Sequence, residues 1–259
     1  MPARNASARP GTAEPAPPLT ARSVLASALL GMDPPELPVA QLVRLTGLFG
    51  VSENRARVAL SRMVAGGEAT SDGTGRYRLA GHLAARQSRQ SASRAGATAS
   101  YDGEWWLAVV TTAGSSADVR GTRRRTLAFG RLAELREGVW MRPANLAVRL
   151  PDPLEGDIEL MTARPGEPVA LAHRLWDLTA WSARARDLLG DLHALVPDGP
   201  AALAPGFELS AAVLRHLQAD PLLPAELLPA EWPGAPLRAT YDQWDARYRT
   251  TLRDWSRAG

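Results

Sequence analysis

The sequence predicts an α+β chain in three parts, and three observations carry that reading. Residues 20–83 hold three short amphipathic helical patterns followed by a hairpin signal. Residues 101–165 hold the order strand, helix, strand, strand. Residues 166–259 return to helical periodicity, broken near the end by a run of prolines.

In the first part, Thr20 is an N-cap for a helix over 20–30. Val24, Leu25, Ala28 and Leu29 form its apolar face and Gly31 stops it. Asp33-Pro34-Pro35 makes a rigid connection to a second helix over 39–49, with Leu42, Leu45 and Phe49 facing in. Gly50-Val51 turns the chain. Ser52 caps a third helix over 53–65, whose inward side is Ala56, Ala59, Leu60 and Met63. Ala69-Thr70, the turn Asp72-Gly73-Thr74-Gly75 and Arg76-Tyr77-Arg78-Leu79 give a short β-hairpin. Residues 84–100, mostly Ala, Ser, Arg, Gln and Gly, read as a frayed helix passing into a linker. Residues 1–18 read as a disordered leader rich in Ala, Pro, Arg and Ser.

In the middle part, 105–111 is a buried-strand pattern. Gly121-Thr122-Arg123-Arg124-Arg125 opens a helix containing Leu127, Leu132 and Leu135; 138–143 and 158–163 are further strands. The order fits a ferredoxin-like α/β sandwich. The last part places helices over 172–178, 180–195, 210–219 and 237–255. The domain boundaries are thus 1–18 leader, 19–83 first domain, 84–100 linker, 101–165 middle domain and 166–259 helical domain.

Composition narrows the function. The 259 residues contain no cysteine, which excludes disulfides, Cys-ligated metal and a thiol nucleophile. No apolar run reaches the roughly 18 residues of a membrane span, and no signal pattern opens the chain, so a cytoplasmic protein is expected. Residues 1–100 carry 12 Arg against 6 acids and residues 101–259 carry 18 Arg against 21 acids. A basic front and an acidic rear point to an anionic partner at the front. All 30 basic residues are arginine, whose planar fork grips phosphate or guanine.

Three helices and a hairpin follow the order of a winged helix-turn-helix, against the plainer reading of a solvated, Arg-rich helical face, and a major groove admits one helix bearing hydrogen-bond donors. The outward positions of the third helix are Asn54, Arg55, Arg57, Ser61 and Arg62; Arg reads guanine and Asn reads adenine. Ser52 and the helix N-terminus suit a phosphate. Arg76, Tyr77 and Arg78 on the wing suit backbone or minor-groove contacts.

From Thr20 onward the chain resembles the PaaX-type transcriptional repressors, regulators of phenylacetate catabolism. The stretches that carry the resemblance are Leu48-Phe49-Gly50-Val51-Ser52-Glu53 with Arg55 to Arg62 behind it, Asp102-Gly103-Glu104-Trp105, Gly138-Val139-Trp140-Met141-Arg142-Pro143 and Leu175-Trp176-Asp177-Leu178. The most specific is Asp220-Pro221-Leu222-Leu223-Pro224-Ala225-Glu226-Leu227-Leu228-Pro229, followed by Trp232-Pro233-Gly234. The resemblance implies a winged helix-turn-helix, a ferredoxin-like middle domain and a helical C-terminal domain. It implies a homodimer on a palindromic operator in double-stranded DNA, released by an aryl-acyl-CoA such as phenylacetyl-CoA. Two departures stand out. Gly66-Gly67-Glu68-Ala69 replaces the usual Glu-Gly-Trp-aliphatic sequence, and the short wing has one tyrosine where the family has two.

Arg123, Arg124 and Arg125 are candidates for the phosphates of a coenzyme A effector or of the DNA backbone, against the plainer reading of a solvated face paired with Glu134 and Glu137. Trp176 and Trp181 are candidates for an aryl pocket or for core. Tyr241, Trp244, Tyr248, Leu252 and Trp255 form a stripe of core or dimer interface. The four histidines are far apart in sequence and form no ligand pair, so neither a metal nor another cofactor is expected. No nucleophile elbow or phosphate loop is present, and the expectation is a regulator and not an enzyme. The alternative is an acyl-CoA-binding protein or thioester-processing enzyme with a vestigial helix-turn-helix.

Overall fold

A computed structural model describes residues 20–32, 34–96, 98–112, 116–148 and 156–257. The leader assigned to 1–18, and Asp33 of the proline connection, lie outside the described residues. The chain divides into two compact units, 1–84 and 85–259.

The first unit holds helices α1 (Ala21–Leu30), α2 (Val39–Gly47) and α3 (Glu53–Ala65). The Thr20 hydroxyl accepts the Ser23 amide at 3.1 Å and so caps α1. The three helices pack on one another and bury Val24, Leu25, Leu29, Leu42, Leu45, Ala56, Leu60 and Met63. Gly50, at φ 69°, lets the chain reverse between α2 and α3. Strands β1 (Glu36–Pro38), β2 (Ala69–Ser71) and β3 (Arg76–Leu79) form an antiparallel sheet in the order β1-β3-β2. Sequence reading gave the β2–β3 hairpin but not β1. Prolines at 34, 35 and 38 frame that three-residue strand and signal a turn instead.

Helix α4 (Gly81–Ala95) occupies most of the stretch read as a linker. The helical part of that reading extends to Ala95, because the polar residues of α4 are used in packing. Gln90 and Ser93 are buried. Gln218 donates to Gln90 at 2.9 Å, Arg131 donates to the Ser93 hydroxyl at 2.6 Å, and Arg94 pairs with Asp242 and Asp245 at 2.6 and 2.7 Å.

Strands β4 (Trp105–Val110), β5 (Ala133–Arg136), β6 (Val139–Pro143) and β7 (Ile158–Ala163) make a second antiparallel sheet in the order β5-β6-β4-β7. Helix α5 (Ala117–Phe129) connects β4 to β5. Alternation along β4 sends successive side chains to opposite faces. Ala108, Trp140 and Ile158 pack with Leu127 of α5; Trp105 and Met141 pack with Leu171, Ala172, Leu223 and Leu227 on the other side. Leu132 and Leu135 are not helical, contrary to the sequence reading. Gly130 ends α5, Arg131 turns the chain at φ 63°, and Leu135 belongs to β5.

The remaining helices are α6 (Pro168–Leu175), α7 (Leu178–Ala194), α8 (Leu203–Gln218) and α9 (Gly234–Arg257). Helix α8 starts at Leu203 instead of near Ser210. Pro205 sits in its first turn, where no intrahelical amide donor is lost. Tyr241, Trp244 and Tyr248 of α9 stack in the core with α7 and α8, at centroid separations of 6.4 and 5.1 Å. No helix among the described residues is long and apolar enough to cross a membrane.

Candidate nucleic-acid interface

Helix α3 buries Ala56, Leu60 and Met63 and therefore turns the rest of its circumference outward. Asn54, Val58, Ser61 and Ala65 run along the middle of the exposed side. Arg55 and Arg62 flank that line on one edge and Arg57 on the other. Ser52, Asn54, Arg55, Arg57, Ser61 and Arg62 are all exposed. The Ser52 hydroxyl occupies the N-cap position without a capping hydrogen bond. Sequence reading missed Val58, which is 42% exposed in the middle of this face. Periodicity alone could have found it, since it lies four residues after Asn54.

The arginines differ in their partners. Among the described residues Arg55 and Arg62 have no ion pair. Arg57 is held by Glu53 one turn earlier, with Nη2 2.7 Å from the carboxylate. On the hairpin, Arg76 and Arg78 share Glu36 of β1, at 3.1 and 2.5 Å. The register explains this: Glu36 lies opposite Arg78, and Pro38 opposite Arg76. The hydrogen bonds from Arg78, then Arg76, hold the Glu36 carboxyl below its usual range. Tyr77 is half-buried between them.

The hairpin tip is built by Asp72. Its carboxylate accepts the Thr74 amide and hydroxyl, each at 2.8 Å, and the Arg76 amide at 3.1 Å. These bonds, the Thr74 hydroxyl first, keep the Asp72 carboxyl ionised at lower pH than usual. Glu68, at the position of the missing tryptophan, pairs with Arg22 of α1, whose Nε lies 2.8 Å from Oε2. An ion pair thus ties the start of the hairpin to α1.

Residues 20–83 match the PaaX-like protein family, and residues 176–257 match the PaaX-like protein C-terminal domain. The chain belongs to the PaaX-like family. It is also similar to a solved structure, uncharacterized protein Rv0674 from Mycobacterium tuberculosis. The two share 42% identity with a TM-score of 0.73, over 92% of this chain and 99% of that one. Among curated proteins none matches. The PaaX-like family is a family of regulators, and membership suggests a transcription regulator of phenylacetate catabolism.

Four effector candidates of this PaaX-like protein point in different directions. Arg123 is buried, 2.7 Å from Asp157 and 3.0 Å from the Thr112 hydroxyl. Arg124 pairs with Glu134 at the surface, which follows the plainer sequence reading for that residue. Arg125 is exposed and donates to the Thr122 hydroxyl at 3.0 Å. Trp176 packs against the cluster of Trp105, at 6.2 Å between ring centroids.

Proposed function

We propose that this PaaX-like protein is a sequence-specific DNA-binding repressor of phenylacetate or related aromatic acyl-CoA catabolism. It acts in the cytoplasm as a homodimer on a palindromic operator and is released by an aryl-acyl-CoA, phenylacetyl-CoA being the first candidate. The observation that carries the reading is the outward face of α3. It presents Asn54, Val58 and Ser61 along its middle, with Arg55 and Arg62, which have no ion pair among the described residues, on one edge and Arg57 on the other. That is the chemistry a major groove requires: amide and hydroxyl for base edges, an apolar group for a thymine methyl, and guanidinium for guanine or phosphate. We read α2, α3 and the β2–β3 hairpin as a winged helix-turn-helix, supported by the element order and by the antiparallel hairpin register. We read the second sheet as ferredoxin-like, supported by its strand order and by α5 between its first two strands.

The division of labour follows. Arg55 and Arg62 supply most of the charge for α3, Asn54 reads a base, and Ser52 with the α3 N-terminus takes a phosphate. Arg57 contributes after leaving Glu53. Arg76, Tyr77 and Arg78 touch the backbone beside the groove. Two α3 helices of a dimer must sit one DNA turn apart, about 34 Å. The effector acts by preferring a conformer with another spacing, and shifts the equilibrium only by its differential affinity.

The test is a fluorescence-anisotropy titration on the protein's own upstream DNA, with and without phenylacetyl-CoA. Tight, salt-sensitive binding released by the thioester is expected. Arg55→Ala and Arg62→Ala should each lower the salt slope by about 1 if they meet phosphate. Binding no tighter than to random DNA overturns the reading.

A further inference from the structure

Arg142, on the inner strand β6 of the second sheet, is 0% exposed and pairs with no carboxylate among the described residues. Its Nε donates to the Pro143 carbonyl at 3.0 Å, and one Nη2 bond reaches the Asn145 side chain at 3.1 Å. Its Nη1 is buried without a hydrogen-bond partner among the described residues, as is Nε of Arg89. A buried guanidinium with unused donors is costly to maintain, and an apolar side chain of similar size would pack as well.

Arg131 lies beside it, and Arg89 and Arg238 lie beside Arg131. Arg131 donates to the carbonyls of Gln218 and Asp220 and to the Ser93 hydroxyl. Arg238 donates to the Ser93 carbonyl at 3.0 Å and pairs with Asp220 at 2.7 Å. Arg89 stands one turn before Ser93 on α4, its guanidinium 4.1 Å from the Phe129 ring centroid. Asp220 is the one carboxylate among the described residues that pairs with any of the four. Four cations against one anion leave three positive charges uncompensated. Burial and this mutual repulsion depress the Arg131 and Arg142 guanidinium groups to about 10 and about 9.

The backbone here is also unusual. Arg131 and Leu222 are the two non-glycine residues with positive φ among the described residues, at 63° and 51°. The Leu222 carbonyl accepts from Asn145 at 2.8 Å, and its amide donates to Asp220 at 2.8 Å. Left-handed non-glycine residues gather at ligand clamps, where surrounding contacts hold them.

We propose that Arg89, Arg131, Arg142 and Arg238 form a binding site for a small-molecule phosphate or pyrophosphate group within the 85–259 unit. Three uncompensated positive charges, with Arg142 Nη1 and Arg89 Nε still unpartnered, match a multiply charged phosphate better than a single carboxylate. Arg89, Arg131 and Arg238 keep partial exposure and form the approach, and buried Arg142 is the floor. A DNA duplex cannot reach a fully buried side chain, so the ligand is small. The site rests on this geometry; its role as the seat of the effector's phosphates rests on the repressor reading above.

The experiment is calorimetric titration of the full chain with pyrophosphate at fixed ionic strength, with chloride as the control. Saturable binding is expected, weakened about tenfold or more in Arg142→Met. Arg89→Gln, at the half-buried approach, is the second variant and should weaken binding in the same direction. Inorganic phosphate and coenzyme A distinguish the source: tighter binding of coenzyme A assigns the site to a phosphorylated carrier, and equal binding of phosphate assigns it to the free ion. Stabilisation by chloride alone, or wild-type pyrophosphate affinity in both variants, overturns the site. DNA affinity is measured separately without added anion. Its absence would overturn the repressor reading and leave the anion site standing.

Discussion

Replacing Gly206 with alanine should destabilise the 85–259 unit, although alanine is the better helix former. Gly206 lies in the second turn of α8. A Cβ built there falls 2.5 Å from Tyr248 Cε2, 2.8 Å from Cδ2 and 3.3 Å from Trp244 Cη2. The tyrosine ring has nowhere to go. Its hydroxyl donates to the Leu203 carbonyl at 2.8 Å, and its ring stacks on Trp244, whose indole donates to the Leu195 carbonyl at 2.7 Å. Overpacking of this kind costs about 1–3 kcal/mol, against about 1 kcal/mol gained in helix propensity. Gly190 in α7 supplies the internal control, since a Cβ there meets nothing within 4 Å. Gly190→Ala should gain up to about 1 kcal/mol. Urea unfolding followed by tryptophan fluorescence measures both. If Gly206→Ala is as stable as the parent, or both variants shift the same way, the packing of α8 against α9 is not as described.

Three further outcomes are expected. Glu36→Gln releases Arg76 and Arg78 from their shared carboxylate, so DNA binding should tighten roughly two- to fivefold at low salt and become more salt-dependent; anisotropy on a salt series measures it. Asp220→Asn leaves half-buried Arg238 without its anion and should cost about 3 kcal/mol in urea unfolding, partly restored by pyrophosphate. Burial lowers the His216 pKa from its ordinary 6.5. Below pH 6.5 the unfolded chain therefore takes up a proton that folded His216 resists, and stability falls with pH through that window. His216→Gln should flatten this slope in unfolding measured at pH 5 and pH 7.5.

The helices of the first unit were legible because caps and periodicity agree there: Thr20, Ser52 and the Ala56/Leu60/Met63 spacing all point one way. Strand β5 was not, because Leu127, Leu132 and Leu135 keep a helical rhythm through the turn at Gly130-Arg131. Only a left-handed arginine separates the two elements, and single sequences do not announce that conformation. The outward face of α3 was readable from its charge and spacing. The partners of its arginines were half readable. Glu53 stands four residues before Arg57, a recognisable helical pair, whereas Glu36 reaches Arg76 and Arg78 across a strand the sequence did not signal. The buried arginine cluster was invisible, since its members come from α4, the α5–β5 turn, β6 and α9.

The lysine-free composition makes that cluster possible and changes how the charge balance should be weighed. An ammonium is compact and strongly hydrated, and three carbonyl-facing donors on a buried lysine would lose more than they gain. Guanidinium is weakly hydrated and spreads its charge over a fork that carbonyls and side-chain amides can satisfy in part. Residues 101–259 sum to −3, yet Arg131, Arg142, Arg238 and Asp220 account for +2 of that sum in buried or half-buried positions. The rest of the stretch therefore carries −5. A stretch with that balance offers a duplex no net attraction. On the repressor reading proposed above, attraction of DNA then falls to the basic residues 1–100, and within them to the arginines that no carboxylate holds. The 85–259 unit as a whole carries 21 Arg against 21 acids, and without Arg89, Arg131, Arg142, Arg238 and Asp220 the remainder sums to −3, so an approaching anion meets a weak net repulsion. A phosphate ligand gains there only where Arg89, Arg131 and Arg238 break the acidic surface, so that unit discriminates by position and not by overall charge.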